Sequence, residues 1–377
     1  MKISVLCFDL ADNAAGRADL LARLLAPRHQ VEVVGPCFGA DIWRPVRGGP
    51  VRYRSVAGSR LPRFFAALPR LLRLVDGDLV YASKPRPTSF GIGLLASRLS
   101  RRPLILDIDD WEVGFFYRSQ RWGRVGRFLN LTNPNGLPWT WMMERLIRRA
   151  RLRTVASRFL EARFGGVLIP HVRDTDAWSP GTHDPGPARS RLGVDAEKVV
   201  MFLGTPREHK GVDDLVEAVR LLRRPDLVLA IVGSDPGSRA GQRLRALAPT
   251  VRCVDEIPFS QIPHYLEAAH VVAAPQRLTS DTLAQVPAKL FDAMALGRPI
   301  VSTRVSMIPE ILDGCGLVVE PGNPEALAHA LAFLLDNPAE AAELGRRARA
   351  RAEERYSYAM ARQLLLPLLE TAAGGRG

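Results

Sequence analysis

With 377 residues, 47% of them hydrophobic, and a formal charge of +13, the chain is long enough for two cores of ordinary domain size and too apolar to be disordered. Four scattered cysteines with no C-x-x-C pair speak against a disulfide or zinc framework and fit reduced thiols in a cytoplasmic protein. The first residues reach Asp9 and Asp12 too soon for a signal peptide, and no apolar run approaches the roughly 18 residues of a membrane span, so membrane contact is expected only at the periphery.

The charge is unevenly placed. Residues 1–180 hold 29 Lys and Arg against 15 Asp and Glu, which leaves 23 against 24 for the remainder. An acidic partner is expected for the first half, whether anionic lipid, phosphorylated substrate or nucleic acid. The plain alternative is a surface that simply favours arginine.

In chain order, residues 3–8 form a short apolar run suited to a buried parallel strand, residues 9–17 a polar loop, and residues 18–25 a helix before the next strand at Val31. Such a β-loop-α-β opening belongs to a doubly wound α/β domain, whose ligand loop follows the first strand. Gly16 in that loop would let backbone approach a phosphate, or it marks only a turn. Residues 50–74 interleave Arg52, Arg54, Arg60, Arg63, Arg70 and Arg73 with Leu61, Phe64, Phe65, Leu68, Leu71 and Leu72. This pattern suits either an anionic membrane surface or a helix packed on the sheet with a solvated arginine face.

Residues 78–82 are another strand, residues 91–99 a helix, and residues 103–108 a strand that runs into Asp109, Asp110, Trp111 and Glu112. Open α/β sheets place ligands at that edge, so Asp109 or Asp110 is expected to orient an acceptor hydroxyl or take its proton; capping a helix or pairing with arginine are the alternatives. No metal is expected there. Residues 115–143 lack a steady period and suggest a long irregular insertion, residues 144–153 a basic helix, and residues 154–157 and 167–170 short strands.

Residues 171–187, rich in Pro, Gly, Asp and His, suggest an interdomain linker. A second α/β pattern follows, with a strand at 199–204, a loop to Gly211, a helix at 212–222 and further strands at 227–233, 251–254, 271–274 and 299–302. In residues 287–302, Leu290, Ala293, Met294 and Gly297 fall at helical spacing behind Pro287. Lys289 and Asp292 then lie near a helix start, where backbone N–H groups and the helix dipole favour an anion. One reading is a bound phosphate with Asp292 on a sugar hydroxyl; the other is a solvated surface helix.

Four stretches in order, residues 202–211, Ile231-Val-Gly233, residues 287–302 and residues 308–327, resemble the donor domain of GT-B glycosyltransferases of the large retaining family called family 4. The resemblance implies an α/β fold of two Rossmann-like doubly wound domains facing across a cleft. It places the acceptor domain at 1–172 with the last helix, 359–374, packing back on it, a linker at 173–188, and the donor domain at 189–358. It further implies transfer of a sugar from a nucleotide diphosphate, with UDP or GDP as the nucleotide, to an acceptor hydroxyl. Retention, by front-side attack without an enzyme nucleophile, and independence from metal and other cofactors are implied as well. A cytoplasmic protein at the inner face of the membrane, with an anionic or lipid-linked acceptor and no nucleic acid partner, is the matching expectation.

Carried over residue by residue, the resemblance gives Lys210 the donor diphosphate, with Arg207 sharing that task because Thr205 occupies the family's usual arginine position. Gly204 belongs to the same loop, and Lys289 and Leu290 to the donor helix. Of the family's two glutamates, the second matches Asp292 and the first falls at Ala284, so Thr282, Gln285 or backbone groups are expected to meet the sugar. Asp109 stands where many relatives have a histidine. These departures keep open a non-catalytic nucleotide-sugar-binding homologue; a sugar-nucleotide epimerase of the same shape is the other alternative.

Overall fold

The computed structural model describes residues 1–117 and 128–374; residues 118–127, inside the expected insertion, and residues 375–377 lie outside the described residues. The chain divides into two compact units, one of residues 1–170 with 361–377, the other of residues 171–360.

The first unit is built on a seven-stranded sheet of β1 (Lys2–Leu6), β2 (Gln30–Cys37), β3 (Arg52–Ala57), β4 (Leu79–Ser83), β5 (Leu104–Ile108), β6 (Leu152–Val155) and β7 (Val167–Leu168). Its order is β3-β2-β1-β4-β5-β6-β7 and every pairing is parallel. Every residue of β4 and of β5 is buried, as continuous apolar strands covered on both faces must be. The chain runs outward from β1 and then returns to β4 on its other side, so the order reverses between these two strands. The crevice at the carboxyl ends of β1 and β4 is therefore where such a sheet takes a ligand.

The second unit repeats the scheme with β8 (Lys198–Leu203), β9 (Leu227–Val232), β10 (Val251–Val254), β11 (Val271–Ala274), β12 (Ile300–Thr303) and β13 (Leu317–Val319), in the order β10-β9-β8-β11-β12-β13. Its reversal lies between β8 and β11. Phe202, Leu229 and Ile231 of the sheet pack with Leu215 and Val219 of the helix Val212–Leu222 and with Leu331 of the helix Pro324–Asp336. All four cysteines are free thiols. No helix among the described residues is long and apolar enough to cross a membrane.

Several element bounds differ from expectation for local reasons. The first helix is Ala14–Leu25 and begins inside the expected loop, because Asp12 accepts the Ala14 N–H at 3.2 Å and starts the turn. Residues 144–153 are not one helix: the helix Leu137–Leu146 ends, a 3-10 turn spans Ile147–Arg149, and β6 claims Leu152 and Val155 for the sheet. That helix and the short turn Gly114–Tyr117 also give the expected insertion regular structure at both ends. Strand β3 escaped the sequence pattern because its arginines disguise it. It is an edge strand, where charge is tolerated, and Arg52 and Arg54 pair with Glu32 of β2 at 3.2 and 3.0 Å. The stretch expected as a linker lies in the second unit and includes the start of the helix Gly186–Leu192. The final helix, Tyr358–Gly374, continues through Pro367, and its Arg362 Nε–H donates to the Leu24 carbonyl at 3.1 Å.

Candidate functional site

Each unit gathers charged residues at the carboxyl ends of its strands. In the first unit the centre is Lys84, directly after β4. It adopts a left-handed backbone (φ 69°), a conformation that costs a non-glycine residue about 1–3 kcal/mol unless its surroundings enforce it. Here they do: the Lys84 N–H donates to the Asp107 carbonyl at 2.8 Å, and its own carbonyl accepts from the Ser89 hydroxyl at 2.7 Å. The turn aims the ammonium into the carboxylates that follow β5. It lies 2.9 Å from Asp109 and 3.1 Å from Glu112, and it also bonds Asp110.

Oxygens of Asp109, Asp110 and Glu112 lie within 4.8 Å of one another, the spacing a bound cation would need, and the Lys84 ammonium supplies that cation. Burial alone would strip the lysine of its proton, but the three carboxylates outweigh it and hold its proton affinity well above the ordinary value. Asp109 goes the other way. Burial pushes its carboxyl up to about 7 against the pull of Lys84, with Asp110 and Asp107 adding to the rise. A carboxyl poised there can hold or release a proton near neutrality, which an acceptor hydroxyl would require.

A second ring of contacts fixes this cluster. The Arg86 Nε–H donates to Glu112 at 2.6 Å, and its Nη1 donates to the Asn135 carbonyl at 2.7 Å and to the Thr140 hydroxyl at 3.0 Å. Beneath it, Arg17 grips Asp107 through two bonds of 2.9 and 2.8 Å and donates to the Ile169 carbonyl at 2.8 Å. Gly16 is part of the first helical turn, with its N–H on the Asn13 carbonyl at 3.0 Å.

In the second unit the loop after β8 turns at Gly204 (φ 103°) and Gly211 (φ 64°). A Cβ on Gly211 would stand 2.2 Å from the Pro275 carbonyl oxygen, so only glycine lets the loop pass this close to the backbone that follows β11. The result brings Lys210 back over the strand end. The Lys210 and Lys289 amines would stand 3.7 and 3.8 Å from a Cβ placed on Gly204. Two lysine amines from different elements thus converge where the sheet order reverses. Lys289 is 9% exposed, and its amine lies 3.3 Å from the centre of the Phe202 ring. Burial, and then the charge of Lys210, hold its proton affinity well below the ordinary lysine value.

Asp292, one turn along the helix Ala288–Ala295, bonds the Arg173 Nε–H. Burial raises its carboxyl and Arg173 opposes the rise. Arg207 lies exposed in the Lys210 loop. The Leu290 side chain is fully buried, and its N–H donates to the Pro287 carbonyl at 3.1 Å. Thr282 is buried, with its hydroxyl on the Arg277 carbonyl at 2.7 Å; Gln285 is half-buried beside it, and Ala284 is fully buried. Arg277 ties that loop to the Lys210 loop, since its N–H donates to the His209 carbonyl at 2.9 Å and its guanidinium forks onto Asp214 at 2.8 and 2.6 Å.

Sequence reasoning missed three side chains of these clusters: Lys84, Arg86 and Arg173. Lys84 had a usable signal, a lysine immediately after an apolar strand at a ligand-bearing edge. Arg86 and Arg173 had none, because their partners are distant in sequence.

Comparison with known proteins bears on both units. A family model described as glycosyl transferases group 1 matches residues 197–337. The GDP-mannose-dependent alpha-(1-6)-phosphatidylinositol monomannoside mannosyltransferase of Mycolicibacterium smegmatis is 28% identical over 343 residues, 85% of each chain. The D-inositol 3-phosphate glycosyltransferase of Corynebacterium jeikeium is 34% identical over 185 residues, 45% of this chain and 43% of that one. Among solved structures, Anabaena Alr3699/HepE in complex with UDP and glucose is alike with a TM-score of 0.77 at 19% identity, covering 98% of this chain and 99% of that one. WaaG, a glycosyltransferase involved in lipopolysaccharide biosynthesis, is alike with a TM-score of 0.68 at 14% identity over the whole of both chains.

Proposed function

We propose that this chain, a hexosyltransferase with the GT-B fold that matches the family of glycosyl transferases group 1 over residues 197–337, moves a sugar from a nucleoside diphosphate to a hydroxyl of an anionic, lipid-linked acceptor. The observation that carries the donor half of this reading is the convergence of Lys210 and Lys289 on Gly204. Two lysines fixed in position before reaction, both charged once the donor is bound, stabilise the charge that grows on a departing diphosphate. Arg207, exposed in the same loop as Lys210, adds a third cation. These charges do the work for which some transferases use a divalent metal, so the reaction is expected to survive chelation. The Asp292 oxygen not held by Arg173 is the acceptor for a ribose hydroxyl.

In the transfer, the acceptor oxygen bonds the anomeric carbon, the bond from that carbon to the phosphate oxygen breaks, and the acceptor proton passes to the leaving phosphate. Attack on the same face gives retention. Asp109 and Asp110, held by Lys84, orient the acceptor hydroxyl. The relative named for phosphatidylinositol monomannoside and GDP-mannose makes GDP-mannose the first donor to test and a phosphoinositide-type glycolipid the first acceptor. An acceptor of that kind fits the basic first half. It also fits work at the inner membrane face, with the helix Phe64–Leu74 presenting exposed Phe65, Arg70 and Arg73.

The test is transfer from GDP-mannose or UDP-glucose to membrane lipid extract by the purified protein, followed as nucleoside diphosphate release and labelled product, with and without EDTA. Lys210→Ala should abolish transfer while the melting temperature stays unchanged. Wild-type turnover in that variant would overturn the donor assignment.

A further inference from the structure

We propose that Lys289 takes up a proton as the donor diphosphate arrives, so that donor binding and charging of this amine are a single event. The proposal rests on the donor site described above and adds to it a proton that the site does not hold when empty.

The geometry explains why. Lys289 is nine-tenths buried, and its amine makes no ion pair or hydrogen bond among the described residues; its neighbour is the face of Phe202 at 3.3 Å. Charged groups of two elements act on it. From the loop after β8 comes Lys210, which repels a second positive charge, with His209 buried in the same loop and Arg207 and Glu208 exposed. From its own helix comes Asp292, whose carboxylate is engaged by Arg173. Arg173 itself belongs to the segment that opens the second unit. Strand β8 offers only the aromatic ring. An ammonium in this setting has lost its water, faces another cation, and lacks a free counter-charge. Burial and Lys210 accordingly favour the neutral amine.

A diphosphate reverses each of these conditions. It brings negative charge to within reach of both amines and gives each hydrogen-bond acceptors. The diphosphate of a nucleotide sugar is doubly esterified and has no group of its own that titrates near neutrality, so a proton taken up on binding comes to the protein. Linkage then fixes the sign. Donor affinity is greatest at low pH and falls by up to about tenfold per pH unit as pH rises between the proton affinities of the free and the loaded amine. An arginine in this place is charged at all times and makes that dependence vanish.

The experiment is calorimetric titration of the full chain with GDP-mannose and with UDP-glucose at pH 8, in buffers of low and high ionisation enthalpy. The expected result for the sugar nucleotide that binds is a heat that varies linearly with buffer ionisation enthalpy, with a slope approaching about one proton taken up. Lys289→Arg should keep binding and lose the slope; Lys289→Met should bind at least about tenfold more weakly and also lose it. Thermal melts establish that each variant is folded, and if the arginine variant is not, the wild-type slope and Lys289→Met decide. Binding by the wild type with zero slope overturns the proposal while leaving the donor site standing. A slope that survives in Lys289→Arg assigns the proton to Asp292 or His209 and overturns it too. If neither sugar nucleotide binds, the donor site falls and the proposal with it.

Discussion

The Lys84 ammonium lies 2.9 Å from Asp109 and 3.1 Å from Glu112 and bonds Asp110 besides, so one buried lysine binds together the three carboxylates at the end of β5. Its side chain is only 7% exposed. Replacing it by methionine leaves buried negative charge without its counter-ion, a change that costs about 3–5 kcal/mol in comparable buried pairs. Urea unfolding of Lys84→Met should show a loss of that order. A stability within experimental error of wild type would mean that solvent or Arg86 neutralises the cluster and that Lys84 is not its anchor.

Asp109 gives the cluster a pH signature. Its folded-state carboxyl is raised from 3.8 to about 7, so the folded protein binds more protons than the unfolded chain across that window. Stability from this group is therefore fully present below the unfolded value and is lost as pH rises through about 7. Asn at this position cannot titrate. The stability of Asp109→Asn relative to wild type should accordingly improve between pH 5 and pH 8, measured by unfolding at both. A difference that does not change with pH means that Lys84 keeps Asp109 ionised throughout.

The pairing of Arg173 with Asp292 should affect donor binding more than chemistry. Without the guanidinium, the buried Asp292 carboxyl rises further and is less available to accept a ribose hydroxyl at neutral pH. Arg173→Met should raise the donor KM about tenfold, the worth of one strong hydrogen bond, with a smaller effect on kcat because Lys210 and Lys289 remain. The acid limb of kcat/KM should move to higher pH in the variant and return partway in Arg173→Lys. An unmoved acid limb would show that the arginine only packs the loop.

Both sheets were legible in the sequence because parallel strands buried on both faces are written as unbroken apolar runs; β4, β5, β8 and β9 each stand out this way. Strand β3 was hidden because an edge strand can carry Arg52 and Arg54, which imitate a basic amphipathic segment. Lys289 could be placed because Pro287 and the spacing of Leu290, Ala293 and Met294 mark a helix start, and Lys210 because the stretch around it resembles the family's donor loop, where the structure requires glycine at Gly211. What could not be seen were pairings across long sequence distances. Arg173 meets Asp292 119 residues away, and Lys84 meets Asp110 26 residues away. Burial changes such groups most, and neither spacing nor periodicity encodes it.

The helix Phe64–Leu74 tests the membrane reading most directly. Its inner face is set by Phe64 and Leu71, both buried, while Phe65 is 61% exposed and Arg63, Arg70 and Arg73 face solvent. A basic residue near an anionic bilayer contributes about 1 kcal/mol, so changing the three exposed arginines to glutamine should weaken binding by about 3 kcal/mol, roughly a hundredfold. The substitutions lie outside the core and should leave the melting temperature nearly unchanged. Co-sedimentation with vesicles containing phosphatidylinositol, compared with purely zwitterionic vesicles, provides the measurement. Wild type should bind only the anionic vesicles, and less at physiological salt than at low salt. Equal binding to both kinds of vesicle, or no loss in the triple variant, would remove this helix as the contact and leave the positive charge of the first half to serve the acceptor alone.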